Sequence, residues 1–120
     1  MMKLLLADDS PLLRENLQKL MRPVDTINHI YESEDVPTTI EAIDNDKPEV
    51  IILDISMPGG SGFDVLEHLK HRQQSPIVIV LTNYATDYNR EKCFRLGAKY
   101  FFDKTKEFEK VINVLKTLKL

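Results

Sequence analysis

The sequence lacks the residues on which several classes of protein depend. Its 120 residues include a single cysteine, Cys93, which excludes an intrachain disulfide and a multi-cysteine zinc site. There is no tryptophan, and the net charge of −3 comes without the basic stripe of a dedicated nucleic-acid binder. The apolar stretch within MMKLLLADDS is too short for a secretory signal or a membrane span. We therefore expect a cytoplasmic protein that contacts neither nucleic acid nor a membrane directly.

What the sequence does contain is an alternation of short apolar runs and helical patterns along its whole length. The predicted strands are residues 3–7, 28–32, 50–53, 77–81 and 100–102. A helix is predicted after each strand, and Thr105 is the predicted N-cap of the last helix. Strict alternation of five strands and five helices predicts an α/β fold, in which one parallel sheet is doubly wound by helices on both faces. We expect a single domain over residues 1–120, either free-standing or the first domain of a longer chain, and the absence of a linker after the last helix favours the former slightly.

Polar side chains follow four of the predicted strands, at the point where each strand ends. Asp8 and Asp9 follow the first strand, and Asp54 follows the third. Thr82 ends the fourth strand, and Lys104 lies just beyond the fifth. Because functional sites in open parallel sheets form at the carboxyl ends of the strands, we expect these five side chains to converge. Three carboxylates, a hydroxyl and an ammonium would then share one site.

Converging carboxylates repel one another unless a cation lies between them. Mg²⁺ suits such a site, because it prefers oxygen ligands and is bound through one or two carboxylates, several waters and a phosphate. We expect Asp9 and Asp54 to bind Mg²⁺ directly, Asp8 to bind it through water, and Ser56 to contribute its backbone carbonyl. The ammonium of Lys104 and the hydroxyl at the end of the fourth strand would then face a phosphoryl group, whose charge spreads over three oxygens during transfer.

Asp54 is the predicted acceptor of that phosphoryl group. It ends the apolar run VIIL at residues 50–53, where an unpaired carboxylate is costly. The loop that follows contains Pro58 and three glycines, which we expect to let backbone amides approach an anion. Carboxylates are well-attested nucleophiles toward phosphoryl groups.

With these residues in place, the chain resembles a response regulator receiver domain of two-component signalling over essentially its whole length. The matching stretches are LLLADDS at 4–10, IILDISMPGGSGFDVL at 51–66, VIVLTNY at 78–84 and LGAKYFFDK at 96–104. The resemblance implies a flavodoxin-like sheet with strand order 2-1-3-4-5. It also implies Mg²⁺-dependent phosphorylation of Asp54 by a histidine kinase or a histidine phosphotransfer protein. The output partner would be a protein that binds the face formed by the fourth helix, the fifth strand and the fifth helix.

The resemblance further assigns roles beside the phosphate. It makes Thr82 the switch hydroxyl that turns toward the phosphoryl group, and Phe101 the aromatic switch residue. Phe101 has no hydroxyl, so we expect it to act by packing alone. Receivers often carry a small residue after the switch hydroxyl, whereas this chain has Asn83 followed by Tyr84. We expect these two side chains to crowd the phosphate, hinder the attacking water and lengthen the phosphorylated lifetime.

The residue after Lys104 departs from the family's pattern. Receivers usually carry a proline there, joined to the lysine by a cis peptide, but this chain has Thr105. A cis peptide without proline costs about 2.5–4 kcal/mol, so the peptide here is expected to be trans, or cis and strained. The position of Lys104 depends on which of the two it is.

Two other functions compete with a phosphorylated receiver. An aspartyl-phosphate phosphatase on a related fold needs a second aspartate two residues after the nucleophile, and Ser56 occupies that position. A pseudo-receiver, which binds a partner without phosphorylation, would lack part of the acidic pair, the acceptor or the lysine, and this chain has all of them. We therefore expect a phospho-acceptor switch rather than an enzyme, with the pseudo-receiver as the alternative that Thr105 alone favours.

Overall fold

A computed structural model describes residues 2–72 and 75–118, in which five parallel strands form one sheet. The strands are β1 (Met2–Ala7), β2 (Ile27–Ser33), β3 (Val50–Leu53), β4 (Ile77–Thr82) and β5 (Tyr100–Asp103). Their order across the sheet is β2-β1-β3-β4-β5, and each neighbouring pair is parallel. The predicted doubly wound fold and its strand order are both confirmed.

Five helices connect and follow these strands. They are α1 (Pro11–Met21), α2 (Val36–Asp46), α3 (Gly62–Lys70), α4 (Asp87–Arg95) and α5 (Lys110–Thr117). The first four begin at a side-chain N-cap, which satisfies an amide that the helix itself leaves free. Those capping residues are Ser10, Asp35, Ser61 and Thr86. None of the described helices is both long enough and apolar enough to cross a lipid bilayer.

The start of the last helix differs from the prediction that Thr105 caps it. The helix begins at Lys110, and Glu109 at its N-cap makes no side-chain capping bond within the described part of the chain. The reason lies in Asp103, whose Oδ1 accepts hydrogen bonds from the amides of Thr105 (2.8 Å) and Lys106 (3.1 Å). These bonds close a turn directly after β5, so the helix cannot begin until the chain has left that turn.

Both faces of the sheet are buried, as expected for a parallel sheet covered by helices. Alternate residues of β1 point to opposite faces, with Leu5 in one apolar cluster and Leu4 in the other. The cluster that contains Leu5 packs against α2, α3 and α4, and includes Cys93. The cluster that contains Leu4 packs against α1 and α5. This two-sided burial fixes the strand register, and therefore fixes which residues emerge at the carboxyl edge of the sheet.

Candidate functional site

Three carboxylates converge where β1 and β3 end. These strands lie side by side, with Ala7 paired to Leu53, so the residues that follow them emerge together. One carboxylate oxygen from each of Asp8, Asp9 and Asp54 lies within 4.8 Å of the others. Asp8 and Asp54 are each only 5% exposed, whereas Asp9 is open to solvent. Two of the three charges are therefore held out of water, and the third faces it.

The ammonium of Lys104, which directly follows the edge strand β5, completes this cluster. Its Nζ lies 2.7 Å from Oδ2 of Asp8 and 2.8 Å from Oδ2 of Asp54. The peptide that joins Lys104 to Thr105 is trans, and the Lys104 amide donates to the carbonyl of Thr82 at 2.9 Å. Burial opposes the charge of Lys104, but its bonds to Asp54 and Asp8 outweigh this and raise its pKa above the ordinary value. Lys104 is therefore held as a cation between the two buried carboxylates.

Asp8 is the most constrained of the carboxylates. Its Oδ1 accepts a hydrogen bond from the amide of Ser10 at 2.9 Å, while Oδ2 accepts one from Lys104. Burial raises the pKa of Asp8 above the usual value of 3.8, and the nearby charge of Asp54 adds to that rise. The bonds from Lys104 and Ser10 offset only part of the increase. A cation in addition to the lysine would therefore stabilise the ionised site.

The loop after β3 holds Asp54 through a close backbone approach at Gly62. A Cβ at Gly62 would lie 2.6 Å from the carbonyl oxygen of Asp54 and 2.8 Å from Cα of Ile55, so only glycine fits. The Gly62 amide donates to the carbonyl of Ile55 at 2.7 Å. The Gly62 amide is therefore engaged within the loop, and this glycine serves the close packing of the backbone around Asp54. This packing role was not predicted from the sequence, because glycine occurs in turns for several physical reasons and the residue type alone does not tell them apart.

Ser56 lies in a short hairpin that the sequence analysis did not predict. Residues Ser56–Met57 pair antiparallel with Gly60–Ser61, directly before α3. The Ser56 amide donates to Oδ1 of Asp54 at 3.2 Å, and the Ser56 residue is exposed. This bond orients the Asp54 carboxylate toward the loop.

Thr82 and Phe101 lie on adjacent strands beneath the site. Thr82 is fully buried, and its Oγ1 accepts a hydrogen bond from the amide of Tyr84 at 3.2 Å. Phe101 is also buried, with the guanidinium carbon of Arg90 4.9 Å from the centre of its ring. The ring of Phe94 in α4 lies 6.5 Å from that of Phe101. Phe101 thus packs inward against the helix that follows Thr82.

A pocket of about 420 Å³ opens beside the acidic cluster and Lys104. Its walls include Asp9, Asp54, Ser56, Asn83, Tyr84 and Lys104. A larger opening of about 690 Å³ lies at the opposite end of the sheet, between the C-terminal ends of α2 and α3. None of the carboxylates that converge after β1 and β3 is among the described residues that line this larger opening. The smaller pocket is the better candidate site, because Asp9, Asp54 and Lys104 line it.

The family to which the chain belongs follows from a comparison with known proteins. The family model described as the response regulator receiver domain matches residues 4–116. The chain belongs to this family. Receiver domains act as switches of two-component signalling rather than as classical enzymes.

Individual relatives agree with this assignment. The receiver domain is 33% identical to sensory transduction protein LytT of Enterococcus faecalis, over 95% of this chain and 46% of LytT. It is 30% identical to transcriptional regulatory protein YdfI of Bacillus subtilis, over 96% of this chain and 54% of YdfI. The chain therefore spans about half the length of these curated relatives.

Solved structures agree on the fold. A signal receiver domain of a DNA-binding response regulator from Colwellia psychrerythraea superposes with a TM-score of 0.87 at 24% identity, covering 97% of this chain and 96% of that chain. A DNA-binding response regulator of the LuxR family from Staphylococcus aureus gives a TM-score of 0.85 at 23% identity, covering 98% of this chain and 100% of that chain.

Two departures from the usual receiver sequence contact one another. The hydroxyl of Thr105, which replaces the usual proline, donates to Oδ1 of Asn83 at 3.3 Å. Asn83 stands where receivers often carry a small residue, and both side chains are exposed. This bond joins the loops after β4 and β5 at Asn83, which is one of the residues that line the pocket.

Proposed function

We propose that this receiver domain, a single domain over residues 1–120, accepts a phosphoryl group on Asp54 from a phosphohistidine of a histidine kinase or a histidine phosphotransfer protein. The observation that carries the proposal is the convergence of Asp8, Asp9, Asp54 and the Lys104 ammonium, of which Asp9, Asp54 and Lys104 line one open pocket. Three carboxylates this close together need positive charge nearby, and the lysine supplies one positive charge against their three negative charges. The transfer would take place in the cytoplasm, where the donor protein exposes its phosphohistidine.

The donor set fits Mg²⁺. Three carboxylate oxygens within 4.8 Å of one another offer the hard ligands that this ion prefers, and the exposed Asp9 leaves room for the waters that it keeps. Asp9 and Asp54 would bind it directly, Asp8 through water, and Ser56 through its carbonyl. When bound, Mg²⁺ would neutralise the carboxylates and draw charge from the phosphoryl oxygens.

The residues of the chain would divide the work of transfer. An oxygen of Asp54 attacks phosphorus in line, forming a P–O bond as the P–N bond to the donor histidine breaks. Lys104 would exchange its contact with Asp54 for a phosphoryl oxygen, which requires little movement because its Nζ already lies 2.8 Å from that carboxylate. Thr82 would turn its hydroxyl toward the same phosphoryl group. Hydrolysis of the acyl phosphate returns the domain to its starting state.

The response would appear on the face formed by α4, β5 and α5. When Thr82 turns, the bond from the Tyr84 amide to its Oγ1 is lost and the loop before α4 is free to move. Phe101 would repack against α4, shifting the population toward a surface that binds a downstream protein. We propose a protein rather than nucleic acid as the partner of this domain, because its net charge is −3 and no basic stripe stands out.

A second candidate is a pseudo-receiver that binds its partner without phosphorylation. The turn at Asp103 and Thr105 favours it, because that turn differs from the usual proline turn beside the lysine. The presence of Asp54, Asp9 and Lys104 in one pocket favours the phosphorylated switch.

The test is the intact mass of the protein after incubation with a small acyl phosphate, with and without Mg²⁺. We expect the wild type to gain one phosphoryl group only when Mg²⁺ is present. Asp54→Asn should gain none, while Asp25→Asn, which changes an exposed carboxylate that does not line the pocket, should behave like the wild type. Absence of any gain in the wild type would favour the pseudo-receiver.

A further inference from the structure

Arg14 is a largely buried arginine of α1 for which the proposed chemistry has no role. Its side chain is only 13% exposed. The Nη1 atom donates a hydrogen bond to the backbone carbonyl oxygen of Asp8 at 2.5 Å, and Nε donates to Oε1 of Glu32 at 2.9 Å. One planar guanidinium thus joins the turn after β1 to the end of β2. Such a fork holds two acceptors in fixed directions, which a single point charge cannot do.

The carbonyl that Arg14 holds belongs to the peptide that links Asp8 to Asp9. A peptide unit is planar, so fixing its oxygen also fixes the direction in which the chain enters Asp9. The other polar groups of Asp8 are held as well: its amide donates to the carbonyl of Ser33 at 3.1 Å, and its carboxylate bonds to Ser10 and Lys104. Asp9 is exposed, so the direction of the preceding peptide is the route by which Arg14 can influence where its carboxylate lies.

Charge alone would give Arg14 the opposite effect on a metal ion. A positive charge near the acidic cluster repels a divalent cation, so its removal should strengthen metal binding if electrostatics dominated. Glu32, at 2.9 Å, neutralises much of that charge. Positioning and charge therefore make predictions of opposite sign.

We infer that Arg14 is a positioning residue for the metal ligands, which acts by fixing the Asp8–Asp9 peptide so that the Asp9 carboxylate faces Mg²⁺. This inference rests on the proposed function, because it assigns a task to Arg14 in preparing that same site. Partners of metal ligands typically contribute 10–100-fold to metal affinity. Arg14 belongs to this class although it never touches the ion.

The experiment compares the affinity for Mg²⁺ alone, measured by titration calorimetry, in the wild type, Arg14→Met and Lys19→Met. Lys19 lies on the same helix, is exposed, and pairs only with Glu15 at 3.4 Å among the described residues, so Lys19→Met removes the same charge without the contact. We expect Arg14→Met to bind Mg²⁺ about tenfold more weakly than the wild type. Lys19→Met should stay within about twofold of it, as surface charges are weakly felt.

A second variant and a second measurement guard against a loss of folding. Arg14→Lys keeps the charge but loses the fork, and we expect it to bind Mg²⁺ more weakly than the wild type as well. Amide hydrogen exchange without metal should be faster at Ser10 in both Arg14 variants than in Lys19→Met, while the amides of β3 exchange as in the wild type.

The outcomes separate this inference from the proposed function. Unchanged or tighter Mg²⁺ binding in Arg14→Met, or wild-type binding in Arg14→Lys, would overturn the positioning role and leave the proposed function intact. A wild type that binds no Mg²⁺ would overturn the proposed metal site, and the inference with it.

Discussion

The Nζ atom of Lys104 lies between two buried carboxylates, 2.8 Å from Oδ2 of Asp54 and 2.7 Å from Oδ2 of Asp8. The lysine reaches them from β5, two strands away from β3 in the sheet. Lys104 makes these contacts while the peptide that joins it to Thr105 is trans. The lysine is therefore in position for the proposed transfer although the usual proline is missing.

The free energy of unfolding of Asp8→Asn should exceed that of the wild type by a margin that depends on pH. Because burial raises the pKa of Asp8 above 3.8, the folded protein holds this proton more tightly than the unfolded chain does. Ionisation of Asp8 thus costs folding free energy above its folded pKa and costs nothing well below 3.8. In urea unfolding with a chelator, we expect Asp8→Asn to exceed the wild type at pH 7, by a margin that shrinks as the pH falls toward 3.8. A margin that does not change with pH would contradict this account.

Gly62→Ala should reduce both stability and metal binding. The added Cβ would lie 2.6 Å from the Asp54 carbonyl oxygen, so the backbone that carries the acceptor must shift, at a cost of about 1–3 kcal/mol. Gly97→Ala is the control, because nothing lies within 4 Å of its Cβ and only its φ of +104° is strained. That variant should lose about 1–2 kcal/mol of stability but keep the wild-type affinity for Mg²⁺. Equal Mg²⁺ affinity in both variants would disprove the link to Asp54.

Tyr84→Ala should shorten the lifetime of the phosphorylated protein. Tyr84 lines the pocket that contains Asp54, although its side chain is 58% exposed. With Tyr84 removed, water should reach the acyl phosphate more easily, and hydrolysis should speed up by about two- to tenfold, a change of up to about 1.4 kcal/mol in the barrier. The decay of the phosphorylated mass over time measures the rate. Tyr88→Ala is the control, because Tyr88 is an exposed tyrosine that does not line the pocket. An unchanged rate in Tyr84→Ala would reject the crowding role of this side chain.

Asp103→Ala should loosen the turn that carries Lys104. The variant loses the acceptor for the amides of Thr105 and Lys106, which we expect to cost about 1 kcal/mol. Phosphoryl uptake from an acyl phosphate should also slow, because the residue between these partners is the lysine. Asp103→Asn keeps an acceptor oxygen and should recover most of both properties. If Asp103→Asn behaves like the alanine variant, the charge of Asp103 rather than the turn is what matters.

The fold could be predicted from the sequence because its strands are buried on both faces. Runs such as VIIL at 50–53 have no polar face, which is typical of the strands of a parallel sheet covered by helices. The strand order came from the resemblance to receivers. The start of α5 was predicted wrongly, because the Asp103 carboxylate takes the amides of the following turn, and nothing in the spacing of the apolar residues reveals that competition.

That the charged residues of the candidate site converge could also be predicted from the sequence. The contacts that hold these residues in place could not. Residues at strand ends meet by topology, so Asp8, Asp54 and Lys104 could be grouped before any contact was known. The contact of Arg14 with the Asp8 carbonyl depends on the orientation of one peptide and one rotamer, which no residue pattern encodes. The hydrogen bond from Thr105 to Asn83 joins two loops 22 positions apart in sequence, and it too required the structure.

The central claim is that Asp54, and not another carboxylate of the cluster, carries the phosphoryl group. The most direct measurement is to phosphorylate the wild type with an acyl phosphate and Mg²⁺, reduce the acyl phosphate with borohydride, and locate the resulting homoserine by peptide mass spectrometry. The account predicts homoserine at position 54, with Asp8 and Asp9 unchanged. Homoserine at position 8 or 9, or at position 103 at the end of β5, would contradict it.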